Sequence, residues 1–212
     1  MSDCVSAHGA YCSHRPDTRQ DRQRRVYLRA MSIEHVIFDG FGTLVERRRP
    51  MSFYAHMQTP TSQAIAWNCA MTAAFDWRAW AQELGKEEQL DADLNSIVLY
   101  NDIAQTLRML DYAGIGYSVM SNLASCYGPP LQAQLKPWRI QNWFLSYADG
   151  MKKPDSRYYQ HALKVLDLPA RHVLFVGDHA KHDVQGPALV GMNALRVRRH
   201  VVGMRDMLEP WC

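Results

Sequence analysis

Short apolar runs alternate along the chain with segments whose apolar residues recur at helical spacing. The runs at 33–38, 115–120, 173–176 and 194–197 each predict a strand, and most of their residues are apolar. Helical segments separate these runs, and strands that alternate with helices are typical of a parallel sheet covered on both faces. The pattern therefore predicts an α/β fold.

Apolar residues three and four positions apart predict the helices that connect these strands. We predict helices within 60–95 and at 101–114, 155–166 and 184–190. Asp76 is a candidate N-cap and Gly85 a candidate stop within the first segment, and Asn101 is a candidate N-cap for the second. Trp77 and Trp80 lie at core spacing, which predicts that they pack between small helices.

Composition agrees with a folded domain. The chain has 212 residues, of which 47% are hydrophobic and 21% charged, and this balance excludes a fully disordered chain. The formal net charge of +3 lies entirely in residues 1–30, which hold six arginines and three aspartates and no apolar face. We therefore predict a disordered N-terminal extension at 1–30. Met31 directly precedes the first strand, so it is an alternative start of translation.

The cysteines and apolar runs bear on location and partners. Five cysteines are an odd number without metal-binding spacing, which favours a reduced, cytoplasmic protein over a disulfide framework. Apolar runs long enough for a membrane helix are absent from the sequence. The arginines of residues 1–30 lack an accompanying aromatic stacking platform, so we expect neither a membrane nor a nucleic-acid partner. The oligomeric state is not predicted.

Polar side chains follow the carboxyl ends of several predicted strands or begin a helix beside them. They are Asp39, Ser121, Asn122, Lys153, Asp178 and Asp183. Open α/β sheets bind ligands at this edge, so we expect these groups to meet. Carboxylates suit Mg²⁺, a lysine and a hydroxyl can hold phosphate oxygens, and an aspartate can act as a nucleophile towards phosphorus.

Four motifs of the chain resemble those of the haloacid dehalogenase superfamily. They are VIFDGFGTL at 36–44, VMSN at 119–122, KKPD at 152–155 and VGDHAKHD at 176–183. The resemblance spans residues 31–200. It implies a Rossmann-like parallel core at 31–45 and 98–212, with a small α-helical cap inserted at 46–97.

The resemblance also implies roles for the residues at the reaction centre. Asp39 corresponds to the nucleophile, and Ser121 and the amide of Asn122 to the groups that bind the transferring phosphoryl group. Lys153 corresponds to the lysine that neutralises both nucleophile and phosphate. Lys152 is the alternative, but the family's lysine usually directly precedes the proline, as Lys153 does.

A Mg²⁺ site is implied by the same resemblance. Asp39, the backbone carbonyl of Phe41 and the carboxylate of Asp178 correspond to its ligands, and Asp183 to a residue that supports the metal shell. His179 and His182 flank these carboxylates. We interpret both as loop residues, because nitrogen ligands suit Mg²⁺ poorly.

Phe41 departs from the pattern of the superfamily's phosphatases, most of which carry an acid–base aspartate at that position. The superfamily's 2-haloacid dehalogenases also have a non-acidic residue there and need no metal. Because Asp178 and Asp183 are retained, we favour a Mg²⁺-dependent phosphatase that acts on a small phosphorylated metabolite through an aspartyl-phosphate. The alternatives are a metal-independent 2-haloacid dehalogenase and a catalytically weak member that binds a phosphorylated ligand or a protein partner.

Arg47 begins a run of three arginines just after the first motif. The run fits a solvated charged turn. It also fits a guide that draws an anionic substrate to the mouth of the site, and on that interpretation Arg47 is a substrate-binding residue.

Overall fold

The computed structural model of the chain describes residues 33–49, 70–199, 201 and 203–212. The predicted extension at 1–30 and the part of the predicted helical segment at 60–69 lie outside the described residues. Cys126 and Cys212, the two cysteines within them, are both free thiols.

The strands of the described residues form one large sheet and one small ribbon. They are β1 (His35–Phe38), β2 (Val45–Arg47), β3 (Ile97–Leu99), β4 (Gly116–Ser121), β5 (Trp143–Leu145), β6 (Val173–Gly177) and β7 (Asn193–Arg196). The large sheet has the order β5-β4-β1-β6-β7, and all of its pairings are parallel. The predicted Rossmann-like parallel sheet is therefore confirmed.

Helices connect these strands and cover the sheet. They are α1 (Trp77–Glu83), α2 (Glu87–Asn95), α3 (Ile103–Ala113), α4 (Gly128–Leu135), α5 (Ser146–Asp149), α6 (Ser156–Leu166), α7 (Gly186–Leu189) and α8 (Met204–Leu208). Short 3₁₀ turns lie at Ser125–Tyr127, Ala170–His172 and Glu209–Trp211, and a π-helix lies at Ala180–Gln185. None of the helices in the described residues combines the length and the apolar character needed to cross a membrane.

The central strand β1 is buried on both faces and separates two apolar cores. Successive side chains of a strand point to opposite faces. Val36 and Phe38 accordingly belong to one core, whereas Ile37 packs with Tyr159 and Phe175 in the other. Because both faces of β1 are buried, most of its residues are apolar. The polar residues begin at Asp39, directly after the strand.

The two ends of the predicted insert at 46–97 meet in the ribbon of β2 and β3. These strands are antiparallel, with Glu46 opposite Val98 and Arg47 opposite Ile97. The ribbon brings the two ends of the insert together at one place on the core.

The first described helix of the insert begins as its sequence predicts. The Asp76 carboxylate accepts a hydrogen bond from the backbone N of Ala79 at 2.9 Å, and the chain turns at Gly85 with a φ of +60°. Trp77 is buried, and its indole Nε1 donates to Ser125 Oγ at 3.0 Å. α1 is thus fastened to the 3₁₀ turn that follows β4.

Asn101 is not the N-cap of the helix that follows β3, so that prediction is wrong. Asp102 holds the N-cap position, and its side chain caps no amide of its own helix. Its carboxylate instead accepts hydrogen bonds from Arg199 and from the backbone N of Met204. Asp102 therefore ties the start of α3 to the C-terminal segment.

The predicted helix at 184–190 is confirmed over Gly186–Leu189, but the helical segment begins earlier than predicted and begins as a π-helix. The chain winds into the π-helix soon after β6, and α7 follows it. His179 is the N-cap of the π-helix, because its Nδ1 accepts from the backbone N–H groups of the second and third residues after it. The two histidines that we expected in a loop therefore lie at this helix, with His179 at the cap and His182 inside.

Candidate active site

The polar residues singled out by the sequence lie at one edge of the large sheet. Phe38, the last residue of β1, is paired with Val119 of β4 on one side and Val176 of β6 on the other. Because β1 lies between these two parallel strands, Asp39 just beyond it faces the residues that end or follow both neighbours.

Three carboxylates converge at this edge. Asp39, Asp178 and Asp183 each present an oxygen, and the three oxygens lie within 4.8 Å of one another. Asp39 and Asp183 are buried, whereas Asp178 is exposed. We refer to these residues as the carboxylate cluster.

Lys153 is the cation of this cluster. Its Nζ lies 2.7 Å from Asp39 Oδ1 and 2.7 Å from Asp183 Oδ1, and its side chain is 2% exposed. Burial alone lowers the pKa of Lys153, but the attraction of the two carboxylates outweighs burial and raises that pKa above its ordinary value. The structure thus brings Lys153 rather than Lys152 to Asp39.

The electrostatics of the carboxylate cluster favour an added cation. Burial raises the pKa of Asp39 to about 7; Lys153 opposes this rise, and the other two carboxylates reinforce it. Burial, and then the charge of Asp183, likewise raise the pKa of Asp178. These raised pKa values show that negative charge is crowded here. With all three carboxylates ionised, the cluster and its one ammonium carry two surplus negative charges, which a divalent cation with hard oxygen ligands would match.

The carboxylates differ in how they could serve such a cation. Both oxygens of Asp183 already accept hydrogen bonds from the protein, one from Lys153 Nζ and the other from the backbone N of His179 at 2.8 Å. Asp183 is thus placed to orient its neighbours. Asp178 is exposed, and Asp39 Oδ2 accepts only a long hydrogen bond of 3.4 Å from Thr43 Oγ1, so these two carboxylates are the candidates to hold the cation directly.

Two glycines make room for these carboxylates. Gly42 has a φ of +80°, and a Cβ there would lie 2.9 Å from Asp178 Cγ and closer still to its Oδ2. A Cβ on Gly177 would lie 2.5 Å from the Cβ of Asp183. The close approach of the cluster to the backbone therefore depends on the glycines of the first and fourth motifs.

Ser121 and Asn122 occupy the end of β4 beside the cluster. Ser121 is buried, and a Cβ on Gly40 would come within 2.9 Å of its Oγ, so the hydroxyl packs against the turn that carries Asp39. The Asn122 side chain donates to the Lys153 carbonyl at 2.7 Å and accepts from the Lys153 backbone N at 2.8 Å. This side chain positions Lys153, while a role of the Asn122 amide in binding a phosphoryl group stays a prediction.

Phe41 and Arg47 lie together at the margin of the site. The Phe41 ring is half-buried and meets the ring of Tyr127 edge-on at 6.1 Å. The exposed Arg47 places its guanidinium 6.0 Å from the centre of the Phe41 ring. The aromatic side chain at position 41 contributes an apolar surface and no ionisable group, and coordination by its carbonyl stays a prediction.

Sequence reasoning missed the arginines beyond β7. Arg196 ends this strand, and Arg198 and Arg199 follow at the same sheet edge as the carboxylate cluster. Arg196 Nε donates to the backbone carbonyl of Asp178 at 3.0 Å. The run of arginines directly after a predicted strand was the available signal, because the carboxyl ends of parallel strands share one edge.

Comparison with known proteins places this geometry in a family. A sequence model of the haloacid dehalogenase-like hydrolases matches residues 33–191. The chain belongs to this family. The match covers four of the five strands of the large sheet, all except β7, together with every residue of the carboxylate cluster.

Two curated phosphatases resemble parts of the chain. A phosphoglycolate phosphatase of Pseudomonas savastanoi pv. phaseolicola is 31% identical over 97 residues, which are 45% of this chain and 35% of that protein. A sesquiterpene phosphatase of Aspergillus oryzae is 32% identical over 92 residues, which are 43% of this chain and 46% of that protein. The chain thus matches less than half the length of these relatives.

Solved structures of the haloacid dehalogenase family share the fold at low identity. A family enzyme of Bacteroides thetaiotaomicron, in complex with magnesium and inorganic phosphate, has a TM-score of 0.63 at 13% identity, covering 82% of this chain and 99% of that chain. A 2-haloacid dehalogenase of Pseudomonas syringae pv. tomato has a TM-score of 0.56 at 16% identity, covering 85% and 100%. Because a phosphate complex and a dehalogenase both share it, the fold does not choose between the two reactions.

Proposed function

We propose that this hydrolase is a Mg²⁺-dependent phosphatase that acts on a small phosphorylated metabolite through an aspartyl-phosphate. The carboxylate cluster carries the proposal. With all three carboxylates ionised, its two surplus negative charges suit a divalent cation, and a dehalogenase that needs no metal would not require such a site. The names of the two curated phosphatases support the same chemistry.

The proposed reaction has two displacements at phosphorus. In the first, an oxygen of the Asp39 carboxylate attacks phosphorus, the ester P–O bond breaks, and the leaving oxygen departs with the bonding electrons and takes up a proton. In the second, water attacks the aspartyl-phosphate and loses a proton, and the P–O bond to Asp39 breaks. Inorganic phosphate is released and the carboxylate is restored.

The residues around Asp39 have distinct tasks in this scheme. Lys153, 2.7 Å from Asp39 Oδ1, offsets the charge of the carboxylate and of the phosphoryl group as they approach. Ser121 and the backbone amide of Asn122 donate hydrogen bonds to phosphoryl oxygens. Asp39, Asp178 and the Phe41 carbonyl would hold Mg²⁺ with Asp183 in support, and the ion would supply positive charge that stabilises the phosphoryl group.

Phe41 shapes the range of esters in this proposal. A phenyl ring cannot protonate a departing oxygen, so the leaving group has to be a stable anion or has to draw its proton from water or from the substrate itself. The proposal assigns the attraction of anionic substrates to Arg47, whose guanidinium lies beside the Phe41 ring. A cytoplasmic location, which the odd number of cysteines favours, completes the proposal.

The alternative function is metal-independent dehalogenation of a 2-haloacid, and the non-acidic Phe41 is the observation that favours it. In that reaction the Asp39 carboxylate would displace halide from carbon. A third candidate is a catalytically weak member that binds a phosphorylated ligand or a protein partner.

One set of assays separates these functions. We expect phosphate release from phosphate monoesters in the presence of Mg²⁺, its loss in EDTA, and no halide release from 2-haloacids. Asp39→Asn abolishes phosphate release, while Asp91→Asn, which alters an exposed ion pair with Arg78, serves as the matched control. Halide release that persists in EDTA would establish the dehalogenase instead.

A further inference from the structure

A cavity of about 500 Å³ opens beside the carboxylate cluster on the side of β7. Its polar lining consists of Tyr100, Asp178, Arg196, Arg198 and Arg199. We call it the arginine pocket. Its volume falls in the range of small-molecule sites, and because Asp178 belongs to both the pocket and the cluster, one ligand can reach both.

Arg199 is a fixed wall of this pocket. It donates to both oxygens of the Asp102 carboxylate, at 2.7 and 2.8 Å, and its guanidinium lies 4.2 Å from the ring centre of Tyr100. It also donates to the backbone carbonyl of Thr43. Asp102 therefore balances the charge of Arg199. The Arg199 side chain in turn links Asp102 to the backbone carbonyl of Thr43.

Within the described part of the chain, Arg196 and Arg198 form no such ion pair. Arg196 Nε is held by the backbone carbonyl of Asp178, a neutral group, and the side chain is exposed. The Arg198 side chain is exposed and makes no hydrogen bond or ion pair within the described residues. Two guanidiniums without a carboxylate partner thus border a cavity next to the proposed reaction centre.

We infer that the arginine pocket binds a second anionic group, a carboxylate or a phosphate, on the leaving group of the substrate. The inference rests on the proposed function. A planar guanidinium matches the paired oxygens of a carboxylate or phosphate. The reacting phosphoryl group itself belongs with Lys153 at Asp39, whereas Arg196 ends β7, the outermost strand on this side of the sheet, and Arg198 follows it. The substrate class is therefore a phosphate monoester with a further negative charge.

Unreactive phosphonates test the pocket without turnover. Isothermal titration calorimetry of the full chain, with Mg²⁺ present throughout, measures the affinity for ω-phosphonocarboxylates of increasing chain length. The affinity for the matching alkylphosphonates is measured in the same way. For at least one chain length, we expect the ω-phosphonocarboxylate to bind about tenfold more tightly than the alkylphosphonate. A gain of this size is what one charge-assisted hydrogen bond provides. A bisphosphonate series of the same lengths then distinguishes a preferred carboxylate from a preferred phosphate.

Arg198→Gln removes one of the unbalanced charges and is expected to abolish most of this preference. Arg171→Gln removes the same charge from an exposed residue just before β6, at the opposite edge of the sheet, and is expected to retain the preference. The inference would be refuted if ω-phosphonocarboxylates and alkylphosphonates bound equally at every chain length. It would also be refuted if both variants lost the preference for the carboxylate to the same extent. Phosphate release decides the proposed function separately.

Discussion

Replacing Gly42 by alanine tests whether the backbone of the first motif places Asp178 for cation binding. The new Cβ would lie 2.9 Å from Asp178 Cγ, and ordinary contacts begin at 3.4 Å, so the carboxylate has to move by at least about 0.5 Å. Metal–ligand distances tolerate only about 0.2 Å. We therefore expect the Mg²⁺ concentration that gives half-maximal phosphate release to rise about 10- to 100-fold.

Gly114→Ala is the matched control for this substitution. Gly114 follows α3 with a φ of +71°, close to the +80° of Gly42, but a Cβ there would meet no atom within 4 Å. Both variants bear the cost of placing alanine in the left-handed region, about 1–2 kcal/mol of the free energy of unfolding. The steric displacement of Asp178 is confined to Gly42→Ala.

The two variants are compared by chemical denaturation and by titration of phosphate release with Mg²⁺. The rise in unfolding temperature with added Mg²⁺ gives a second readout that needs no turnover. If Gly42→Ala and Gly114→Ala lose similar stability and respond to Mg²⁺ like the parent protein, then Asp178 does not hold the cation and the reasoning is refuted.

Three further predictions follow from individual contacts. Asn122→Ala removes both hydrogen bonds that hold the Lys153 backbone, so we expect kcat to fall about 100-fold with little loss of stability; an unchanged kcat in steady-state assays would contradict this role. Burial lowers the pKa of His35 to about 4, so the unfolded chain takes up a proton at this histidine before the folded protein does. The free energy of unfolding should therefore fall by up to about 3 kcal/mol as pH drops from about 6.5 to 4. In denaturation experiments, His35→Gln should flatten that profile. Phe41 supplies no proton, so aryl and acyl phosphates should be cleaved about 10²- to 10⁴-fold faster than alkyl phosphates in single-turnover assays, and similar rates would show that another group protonates the leaving oxygen.

The sequence predicts well those elements that are determined by residues close together in the chain. β1 and β6 are apolar runs that end directly in a polar turn, and this local pattern is enough to place Asp39 and Asp178 at the same sheet edge. Asp76 and Gly85 likewise mark the two ends of α1 with a cap and a stop. In each case the residues that decide the structure are neighbours in sequence.

Features that depend on distant partners could not be predicted in this way. β5 has only three residues, too few to show a period, and α4 begins with Gly128, Pro129 and Pro130, which are typical of turns. The position of Arg199 depends on Asp102, which is 97 residues away. The side of the arginine pocket that Arg199 forms depends on that long-range ion pair, whereas the run of arginines after β7 is the only local sign of the pocket.

The β2–β3 ribbon has a consequence for how this hydrolase can diversify. Because Arg47 and Ile97 are paired across the ribbon, these two residues stay the same short distance apart whatever the length of the chain between them. Doubling a loop costs only about 0.6 kcal/mol in closure entropy. The chain between Arg47 and Ile97 can therefore change in length without altering the distance between the two points at which it joins the ribbon.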